Sequence, residues 1–412
     1  MTKKLVVIGG GAAGFFCAIN AARLNPELEV VIIEKNNKVL SKVKVSGGGR
    51  CNVTHACFDV DELILKYPRG KYFLKKTFNW FSPTDTIGWF AERGITLKTE
   101  ADNRMFPVTD NSQTIIDCLL AEAKKCKVKI MMSCAINSIA IINQQFKLLT
   151  ATNAIIEANY VCVACGGFPK TDQFNWLTSL GHSIEAPVPS LFTFNMPNNK
   201  ITDLMGVSVE GVSVKIAGSK FKNSGPLLIT HWGMSGPAIL KLSSWAARYL
   251  ATVSYQFIII VNWLGETTEI DLRTQFADYR LALASQKISN KNPFGLPNRL
   301  WLYLLQLSGV TEDSRWADLP SATQNRLIHN LVLQEFTVNG KTTFKEEFVT
   351  SGGIKLAEVD ANTMESKKLS NLFFGGEILD VDGVTGGFNF QHAWTSGWIA
   401  AKSIAEKSLG KK

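Results

Sequence analysis

The stretch KKLVVIGGGAAGFFCAINAARLNPELEVVIIEK, residues 3–35, decides the fold of this 412-residue chain. It contains an apolar strand, a GxGxxG turn, a segment with helical spacing, a second apolar strand and an acidic residue, in the order Lys4–Ile8, Gly9 with Gly11 and Gly14, Ala12–Leu24, Val30–Ile33 and Glu34. This order is the full context of a dinucleotide-binding βαβ unit. The stretch therefore predicts a Rossmann-like α/β fold with a bound dinucleotide.

The three glycines of the turn have separate tasks in such a unit. Gly9 permits the tight turn, Gly11 lets a pyrophosphate approach the backbone, and Gly14 allows the helix to pack closely on the strand. The start of the helix offers free N–H groups and the positive end of its dipole to the phosphates. Glu34 can accept hydrogen bonds from a ribose diol, and its charge disfavours a 2′-phosphate. We therefore expect FAD or NAD rather than NADP.

A second glycine-rich segment, SGGGRCNVT at residues 46–54, bears on which dinucleotide is bound. Three adjacent residues without side chains suggest a ligand that lies against the backbone, and their N–H groups can form a polar nest. Arg50 could pair with a phosphate or a carboxylate, and Asn52 and Thr54 can bind ring carbonyls or a ribityl chain. Two glycine-rich patches so close together suggest a longer ligand, which favours FAD.

The C-terminal stretch LFFGGEILDVDGVTGGFNFQHAWTSGWIAA, residues 372–401, returns to the same kind of structure. It predicts a strand at Leu372–Phe374 and a helix that is opened by glycines and runs to about Lys407. Backbone N–H groups of Gly387–Asn389 would face the flavin pyrimidine and stabilise negative charge on the ring. Glu377 or Asp380 would hold the ribityl or pyrophosphate side. We therefore expect the two ends of the chain to build one FAD domain.

At these residues the chain resembles the bacterial aminoacetone-oxidase-like FAD-binding family, also described as NAD(FAD)-utilising dehydrogenases. The family's patterns occur in the same order over nearly the whole chain, as GGGAAG, SGGGRCNVT, RMFP, THWGMSGPAIL, TSGGI, TMESK and GGEILDVDGVTGGFN. The SGGGRCN and GGFN segments are specific to the family, whereas GxGxxG alone is not. The chain departs from the family at Asn103, where Gly is usual, and in a shortened loop after ACGG, residues 164–167.

The resemblance implies a Rossmann-like FAD-binding domain of the two-dinucleotide-binding flavoprotein type, with an inserted β-barrel domain that itself carries a small helical domain. The implied boundaries are 1–190 and 346–412 for the FAD domain, 191–266 and 334–345 for the barrel, and 267–333 for the helices.

Local patterns agree with this architecture. Short alternating segments from Leu191 to Ile216 and the FTVNG and TTFKEEF segments from Phe336 onward predict strands and turns. Residues 269–335 have a helical pattern. The apolar run from Phe257 to Val261 is expected to be a buried strand.

The motifs and the resemblance together give a set of expected FAD contacts. These are Gly9, Gly11, Ala12, Ala13, Gly14, Glu34, Lys35, Lys42, Ser46, Gly47, Gly48, Gly49, Arg50, Cys51, Asn52, Thr54, Ile136, Ala164, Gly166, Gly167, Gly376, Glu377, Asp380, Gly386, Gly387, Phe388 and Asn389.

Flavin transfers hydride or electrons itself, so the protein is expected to supply position and electrostatics. His231 and Trp232 are the candidate catalytic residues, because the resemblance places their THWGMSGP motif over the flavin. His231 could act as an acid or base near neutral pH and Trp232 could cover the ring; alternatively, His231 is a hydrogen-bonded loop residue. His392 is expected to be a packing residue or a residue at the edge of the flavin ring, and Cys51 lacks a close partner for a redox pair.

These features predict an FAD-dependent oxidoreductase that acts on a small molecule. There is no second GxGxxG, so NAD(P)H, if it is the electron donor, would dock transiently. Alternatively, the enzyme is an oxidase that passes electrons from an amine or hydroxyl substrate to O₂.

The composition, with 46% hydrophobic and 19% charged residues, is that of a globular protein. No apolar run approaches the roughly 20 residues of a membrane span, and we expect a cytoplasmic protein with reduced cysteines and no metal or membrane partner. The net charge is +9, with ten Lys or Arg between Lys35 and Lys76. This charge leaves an RNA-binding or RNA-modifying flavoprotein as an alternative, although no nucleic acid is expected because no recognition module accompanies it. A scaffold that retains FAD is a further alternative.

Overall fold

The computed structural model describes residues 2–342 and 349–410. The TTFKEEF segment, residues 342–348, therefore lies almost wholly outside the described residues. No helix in the described part of the chain is long and apolar enough to cross a membrane.

The strands, in chain order, are β1 (Lys4–Ile8), β2 (Glu29–Ile33), β3 (Thr54–His55), β4 (Leu97–Thr99), β5 (Arg104–Pro107), β6 (Lys129–Met131), β7 (Ile136–Ile142), β8 (Gln145–Thr150), β9 (Ile155–Ala158), β10 (Tyr160–Val163), β11 (Ile184–Ser190), β12 (Thr193–Asn195), β13 (Ser208–Ile216), β14 (Lys222–Thr230), β15 (Gly233–Ser235), β16 (Gln256–Asn262), β17 (Gln334–Asn339), β18 (Lys341–Thr342), β19 (Val349–Ile354) and β20 (Leu372–Phe374).

The helices are α1 (Ala12–Leu24), α2 (Ser41–Gly49), α3 (Val60–Ile64), α4 (Lys71–Phe78), α5 (Pro83–Ala91), α6 (Ser112–Lys125), α7 (Asn175–Thr178), α8 (Pro237–Trp245), α9 (Ala247–Thr252), α10 (Glu269–Ala282), α11 (Asn298–Ser308), α12 (Ser321–Val332) and α13 (Phe388–Ser408). Short 3-10 helices lie at Thr171–Phe174, Lys200–Leu204, Leu356–Glu358 and Gly376–Ile378.

The chain divides into two units, each of which has its own hydrophobic core. One unit comprises Met1–Ser190 with Phe344–Lys412, and the other is the continuous segment Leu191–Thr343. The second unit contains both the strands β12–β18 and the helices α10–α12. The finer three-part division expected from the sequence stays a prediction.

The first unit is built on a parallel sheet in the order β20-β10-β1-β2-β6. Its central strand β1 is an unbroken apolar run with four buried residues, as expected for a sheet covered on both faces. Helices α1 and α13 pack against each other over this sheet. Gly397 permits this approach, because a Cβ there would lie 2.6 Å from the carbonyl oxygen of Ala13. The last strand and helix of the described chain therefore complete the sheet that the first ones begin.

The second unit is built on an antiparallel sheet in the order β17-β16-β13-β14-β15-β12-β18. Its two edge strands, β17 and β18, are joined by Gly340 alone. A single residue therefore separates the two edges of the sheet along the chain, as a barrel requires, and the expected barrel stays a prediction. The Phe257–Val261 run forms most of β16, but Ile258 is 41% exposed, so this strand is buried on one face only.

Candidate functional site

Close backbone packing shapes the turn between β1 and α1. Gly9 has φ +114°, and a Cβ there would lie 2.4 Å from the carbonyl oxygen of Ala164. A Cβ on Gly14 would lie 1.9 Å from the carbonyl oxygen of Gly9, whereas one on Gly11 would meet nothing within 4 Å. The protein's own packing thus requires Gly9 and Gly14, while Gly11 leaves open space at the N-terminus of α1.

Glu34 follows β2 and is fixed beside this turn. Its Oε2 accepts a hydrogen bond from the Gly10 N–H at 2.9 Å, and its Oε1 accepts one from the Asn36 N–H at 2.9 Å. The next residue, Lys35, places its Nζ 5.6 Å from the ring centroid of Phe168. Ala12 and Ala13 form the first turn of α1, which has no side-chain cap. A carboxylate therefore stands beside a helix N-terminus, as in a nucleotide-binding turn.

The loop Ser46–Gly49 ends α2 with a non-helical backbone. Gly47, Gly48 and Gly49 all have left-handed conformations, with φ of +59°, +68° and +84°. A Cβ on Gly47 would lie 2.8 Å from the ring of Phe106, whereas Cβ atoms on Gly48 and Gly49 would meet nothing within 4 Å. One glycine is therefore required by packing, and the other two keep an open backbone surface.

Arg50 and Cys51 face the protein rather than open space. The Arg50 guanidinium lies 4.0 Å from the Phe106 ring centroid and donates to the Glu100 carboxylate at 2.5 Å. Asp110 is a second carboxylate partner at 3.5 Å. Cys51 is fully buried, and burial raises the pKa of its thiol to about 12. A thiol with this pKa stays protonated at neutral pH and is a poor redox nucleophile.

Asn52 and Thr54 join the SGGGRCNVT segment to the start of α13. In the amide orientation that satisfies both groups, Asn52 accepts from the Gly387 N–H at 3.0 Å and donates to the Thr54 carbonyl oxygen at 2.9 Å. The Thr54 hydroxyl donates to Gln391 Oε1 at 2.6 Å, and the Thr86 hydroxyl donates to the same oxygen at 3.0 Å. The two glycine motifs at opposite ends of the chain are thus in direct contact.

Glu377 lies where three segments meet. Its Oε2 is 2.6 Å from Lys42 Nζ, and its Oε1 accepts from the Thr350 N–H at 2.8 Å. A Cβ on Gly167 would lie 2.6 Å from the Thr350 hydroxyl oxygen, and one on Gly166 would lie 4.0 Å from Glu377. The buried hydroxyls of Thr350 and Ser351 have no hydrogen-bond partner among the described residues.

Buried polar contacts fix the DVDGVTGGFN loop, residues 380–389. Arg69 donates to both carboxylate oxygens of the fully buried Asp382, which also accepts from the Ser190 hydroxyl at 2.6 Å. Burial raises the pKa of Asp382, although the Arg69 guanidinium opposes this shift. The Asp380 N–H donates to the Ile354 carbonyl oxygen at 3.1 Å, next to this ion pair in the chain.

Side-chain contacts also fix the first residues of α13. The Tyr67 hydroxyl donates to the Phe388 carbonyl oxygen at 2.7 Å, and the Asn389 side chain accepts from the Gly383 N–H at 2.8 Å. His55 Nδ1 lies 3.0 Å from the Gly386 carbonyl oxygen. The N-terminus of α13 is therefore rigidly placed.

His392 lies on α13 and is buried beneath Gly376. Its Nε2 is 3.2 Å from the Gly376 carbonyl oxygen, and its Nδ1 has no partner among the described residues. Burial lowers the pKa of His392 to about 4, so the ring is neutral at pH 7 and Nε2–H donates to Gly376. Ile136, in contrast, begins β7 and pairs with Thr150 in a separate three-stranded sheet.

His231 and Trp232 lie in the Leu191–Thr343 unit, between β14 and β15. His231 is exposed, and its ring packs edge-to-face on Trp232 with 4.3 Å between centroids. The indole N–H of Trp232 donates to the Thr193 hydroxyl at 3.0 Å. Trp232 is thus anchored and His231 is accessible to solvent. In the described residues, no group of His, Cys, Asp or Glu is arranged to hold a metal ion.

The family described as "HI0933-like protein Rossmann domain" matches residues 3–403. The chain belongs to this family. Three curated relatives match over 98% of the chain. One is "3-dehydro-bile acid delta(4,6)-reductase" of Clostridium scindens, 26% identical over its full length. The others are "Ribosomal RNA dihydrouridine synthase" of Haemophilus influenzae, 28% identical, and of Escherichia coli, 30% identical, each matched over 98% of the relative.

Two solved structures support the fold of this HI0933-like protein. A flavocytochrome c3 fumarate reductase superimposes with TM-score 0.52 at 16% identity, over 99% of this chain and 79% of that one. A 3-ketosteroid-delta4-(5alpha)-dehydrogenase from Rhodococcus jostii RHA1 gives TM-score 0.52 at 12% identity, over 98% of this chain and 97% of that one. The expected Rossmann-like FAD-binding fold class is confirmed, and the chain is a member of an FAD-dependent oxidoreductase family.

The residues of this HI0933-like chain fit FAD. Open backbone surfaces occur at Gly11 and at Gly48–Gly49. The helix that follows Gly11 has no side-chain cap, and the buried Thr350 hydroxyl beside Glu377 has no partner among the described residues. These are the features of a cradle for an extended dinucleotide.

Several residues of this region were not predicted from sequence. They are Tyr67, Arg69, Thr350, Asp382 and Gln391. The TSGGI motif was a usable signal for Thr350, and the GGEILDVDGVTGGFN motif was one for Asp382. Tyr67, Arg69 and Gln391 were not recognisable, because each acts through a partner more than a hundred residues away.

Proposed function

We propose that this protein is an FAD-dependent reductase that adds hydrogen across a carbon–carbon double bond conjugated to a carbonyl group. The observation that carries the proposal is similarity over nearly the whole chain to three curated relatives whose names share this chemistry. Dihydrouridine is uridine with its ring double bond, which is conjugated to a carbonyl, saturated. A delta(4,6)-reductase of a 3-dehydro bile acid acts on double bonds conjugated to the 3-oxo group.

FAD, when bound, supplies the hydride that this reaction needs. We propose that the N-terminus of α1 binds its pyrophosphate and that Glu34 binds the adenosine ribose. The open backbone of Gly48 and Gly49 would lie along the cofactor, and Glu377 with Thr350 would bind its ribityl side. The N-terminus of α13 would face the pyrimidine edge, where its positive dipole end favours negative charge on the ring.

The addition also needs a proton at the second carbon of the double bond. We propose that His231 delivers this proton, because it is exposed beside the anchored Trp232. His231→Gln should lower kcat while FAD content stays at the wild-type level. Trp232→Phe removes the bond to Thr193 and serves as the comparison for a purely structural role. Equal kcat in His231→Gln and the wild type would exclude His231 as the proton donor.

The electron donor is proposed to be NADH or NADPH, docked transiently. Anaerobic mixing of the yellow protein with each nucleotide tests this, with the visible flavin band as the readout. Rapid bleaching by one nucleotide is the expected result. If dithionite bleaches the flavin and neither nucleotide does, the reductase proposal fails, and oxidation of an amine or hydroxyl compound with O₂ replaces it.

Two substrate classes fit the proposed reaction. A small conjugated ketone is supported by the bile-acid reductase relative. Uridine in ribosomal RNA is supported by the two dihydrouridine synthase relatives and by the net charge of +9, which suits a polyanion.

The reduced enzyme can be offered each substrate separately. Reoxidation by a 3-oxo-4-ene steroid without dihydrouridine formation supports the first class. Dihydrouridine in ribosomal RNA, detected by mass spectrometry of nucleosides, supports the second.

A further inference from the structure

Helix α4 exposes an aromatic side chain among lysines. Tyr72 is 81% exposed, and Lys71 and Lys76 are exposed beside it. Tyr72 and Lys76 are four residues apart, so they are neighbours on the helix surface. Leu74 and Phe78, on the other side, are buried in the core of the first unit.

Most of the lysine charges in this region have no ion-pair partner among the described residues. Lys75 pairs with Asp61 at 2.5 Å. In contrast, Lys66, Lys71 and Lys76 form no ion pair with any residue that the structure describes. Besides Asp61, two further acids lie at the start of α3. The Asp59 side chain caps the helix by accepting from the Glu62 N–H at 2.9 Å, and Glu62 is the second acid. Two cations without ion-pair partners therefore lie on the same helix as the exposed ring, and Lys66 is a third in the segment that precedes it.

Exposed aromatic rings concentrate in the same part of the chain. Of the five Phe, Tyr or Trp side chains that are exposed among the described residues, three lie in the segment 58–80, namely Phe58, Tyr72 and Trp80. Rings on which bases stack, beside cations that neutralise phosphates, are the means by which proteins bind single-stranded nucleic acid. A lysine-rich helix that is merely solvated does not require an exposed tyrosine.

The residues that precede α4 lie against the proposed flavin site. Gly70 caps α4, and a Cβ there would lie 2.7 Å from the side chain of Val381 and 3.6 Å from the Asp380 carbonyl oxygen. Tyr67, just before it, bonds to the Phe388 carbonyl oxygen. The residues that lead into α4 therefore pack directly on the loop that begins α13.

We propose that the α4 face, defined as Lys66, Lys71, Tyr72 and Lys76, binds single-stranded RNA beside the flavin site. This inference rests on the ribosomal RNA candidate of the proposed function. The lysines contact phosphates, and Tyr72 stacks on a base.

Filter binding of the FAD-loaded protein to deproteinised ribosomal RNA, over a range of KCl concentrations, tests the surface. Lys71→Gln combined with Lys76→Gln should lower the slope of log affinity against log salt by about 1.4, since each single-strand phosphate contact contributes about 0.7. Tyr72→Ala should weaken binding about fivefold to a hundredfold, whereas Tyr72→Phe keeps the ring and should bind like the wild type.

The matched control is Lys124→Gln with Lys125→Gln, two exposed lysines at the end of α6. The α4 variants should differ from this control in affinity but keep a wild-type flavin spectrum and reduction by the same donor. If they bind RNA as the control does, the α4 surface is refuted while the reductase proposal stands. If the wild type binds no RNA at low salt, the surface and the RNA candidate both fail. If the α4 variants bind RNA more weakly but the wild type forms no dihydrouridine, the α4 surface is supported and only the RNA reaction is refuted.

Discussion

Three consecutive glycines, Gly47 to Gly49, share a left-handed backbone conformation, yet protein atoms crowd only the first. Gly48→Ala therefore isolates the effect of the cofactor. Alanine in this conformation should cost the apoprotein about 1–2 kcal/mol, but FAD affinity should fall at least about tenfold, the equivalent of 1.4 kcal/mol, because the new methyl group occupies the proposed cofactor space.

Gly94→Ala is the matched control, since Gly94 also has a positive φ and open surroundings. It should lose similar stability and keep FAD affinity. Urea unfolding of the apoprotein and flavin titration measure the two effects. If Gly48→Ala and Gly94→Ala bind FAD with equal affinity, the cofactor does not lie against this loop.

His392 should make stability depend on pH. Its pKa is about 4 in the folded protein, against an ordinary value of about 6.5. The unfolded chain binds the proton more readily than the folded protein does. The free energy of unfolding therefore has its full value above about pH 6.5 and falls by up to about 3 kcal/mol as the pH drops toward 4. His392→Gln keeps a donor for Gly376 and does not titrate.

Urea unfolding at pH 7, 6, 5 and 4.5 should therefore show a shallower loss of stability in His392→Gln than in the wild type. His182, whose pKa burial also lowers, titrates in both proteins and contributes to the slope that remains, as do carboxylates with lowered pKa values such as Glu358. Parallel pH profiles for the two proteins would show that His392 does not cause the loss of stability at low pH.

At the residue scale, the sequence predicted best those positions where the backbone conformation restricts the type of residue. Asn103, which stands in place of a usual Gly, has φ +65°, a conformation that Asn tolerates better than most residues. Arg50 shows the limit of this reasoning. Its predicted phosphate contact stays a prediction, while the structure shows it on Glu100 and Asp110, partners that no local pattern reveals.

At the scale of elements, Gln391 connects α13 to the SGGGRCNVT segment and to α5. Gln391→Leu should lower the free energy of unfolding by about 2–4 kcal/mol, because it leaves the buried hydroxyls of Thr54, Thr86 and Thr395 without this partner. Thr86→Val removes one of the three bonds and should cost about 1 kcal/mol. Urea unfolding measures both. A Gln391→Leu midpoint at or above that of Thr86→Val would show that the bonds are dispensable.

The elements of the βαβ unit were the most predictable part of the fold. Lys4–Ile8, Ala12–Leu24 and Leu372–Phe374 have their predicted bounds, because each is an apolar run or helical pattern closed by glycine or a polar residue. The contacts of α13 with the first half of the chain could not be derived from spacing. They depend on packing between distant segments, which include hydrogen-bonded residues that are 314 to 341 positions apart.

At the scale of the whole molecule, the Leu191–Thr343 unit has a core of its own and ends that lie side by side, since Thr193 pairs with Thr342. We expect residues 191–343, expressed alone, to unfold cooperatively and to be indifferent to FAD. In the intact protein, FAD should raise the unfolding temperature of the other unit. Calorimetry of both proteins tests this expectation. An unstructured fragment would show that the insert depends on its host.

The packing of α13 against α1 has a consequence for biosynthesis. A ribosome releases α1 early, then the whole Leu191–Thr343 unit, and only afterwards the strand and helix that complete the first sheet. The insert can reach its native state on the nascent chain, whereas the first unit must wait for its last helix. We therefore expect flavin capture to follow the synthesis of α13.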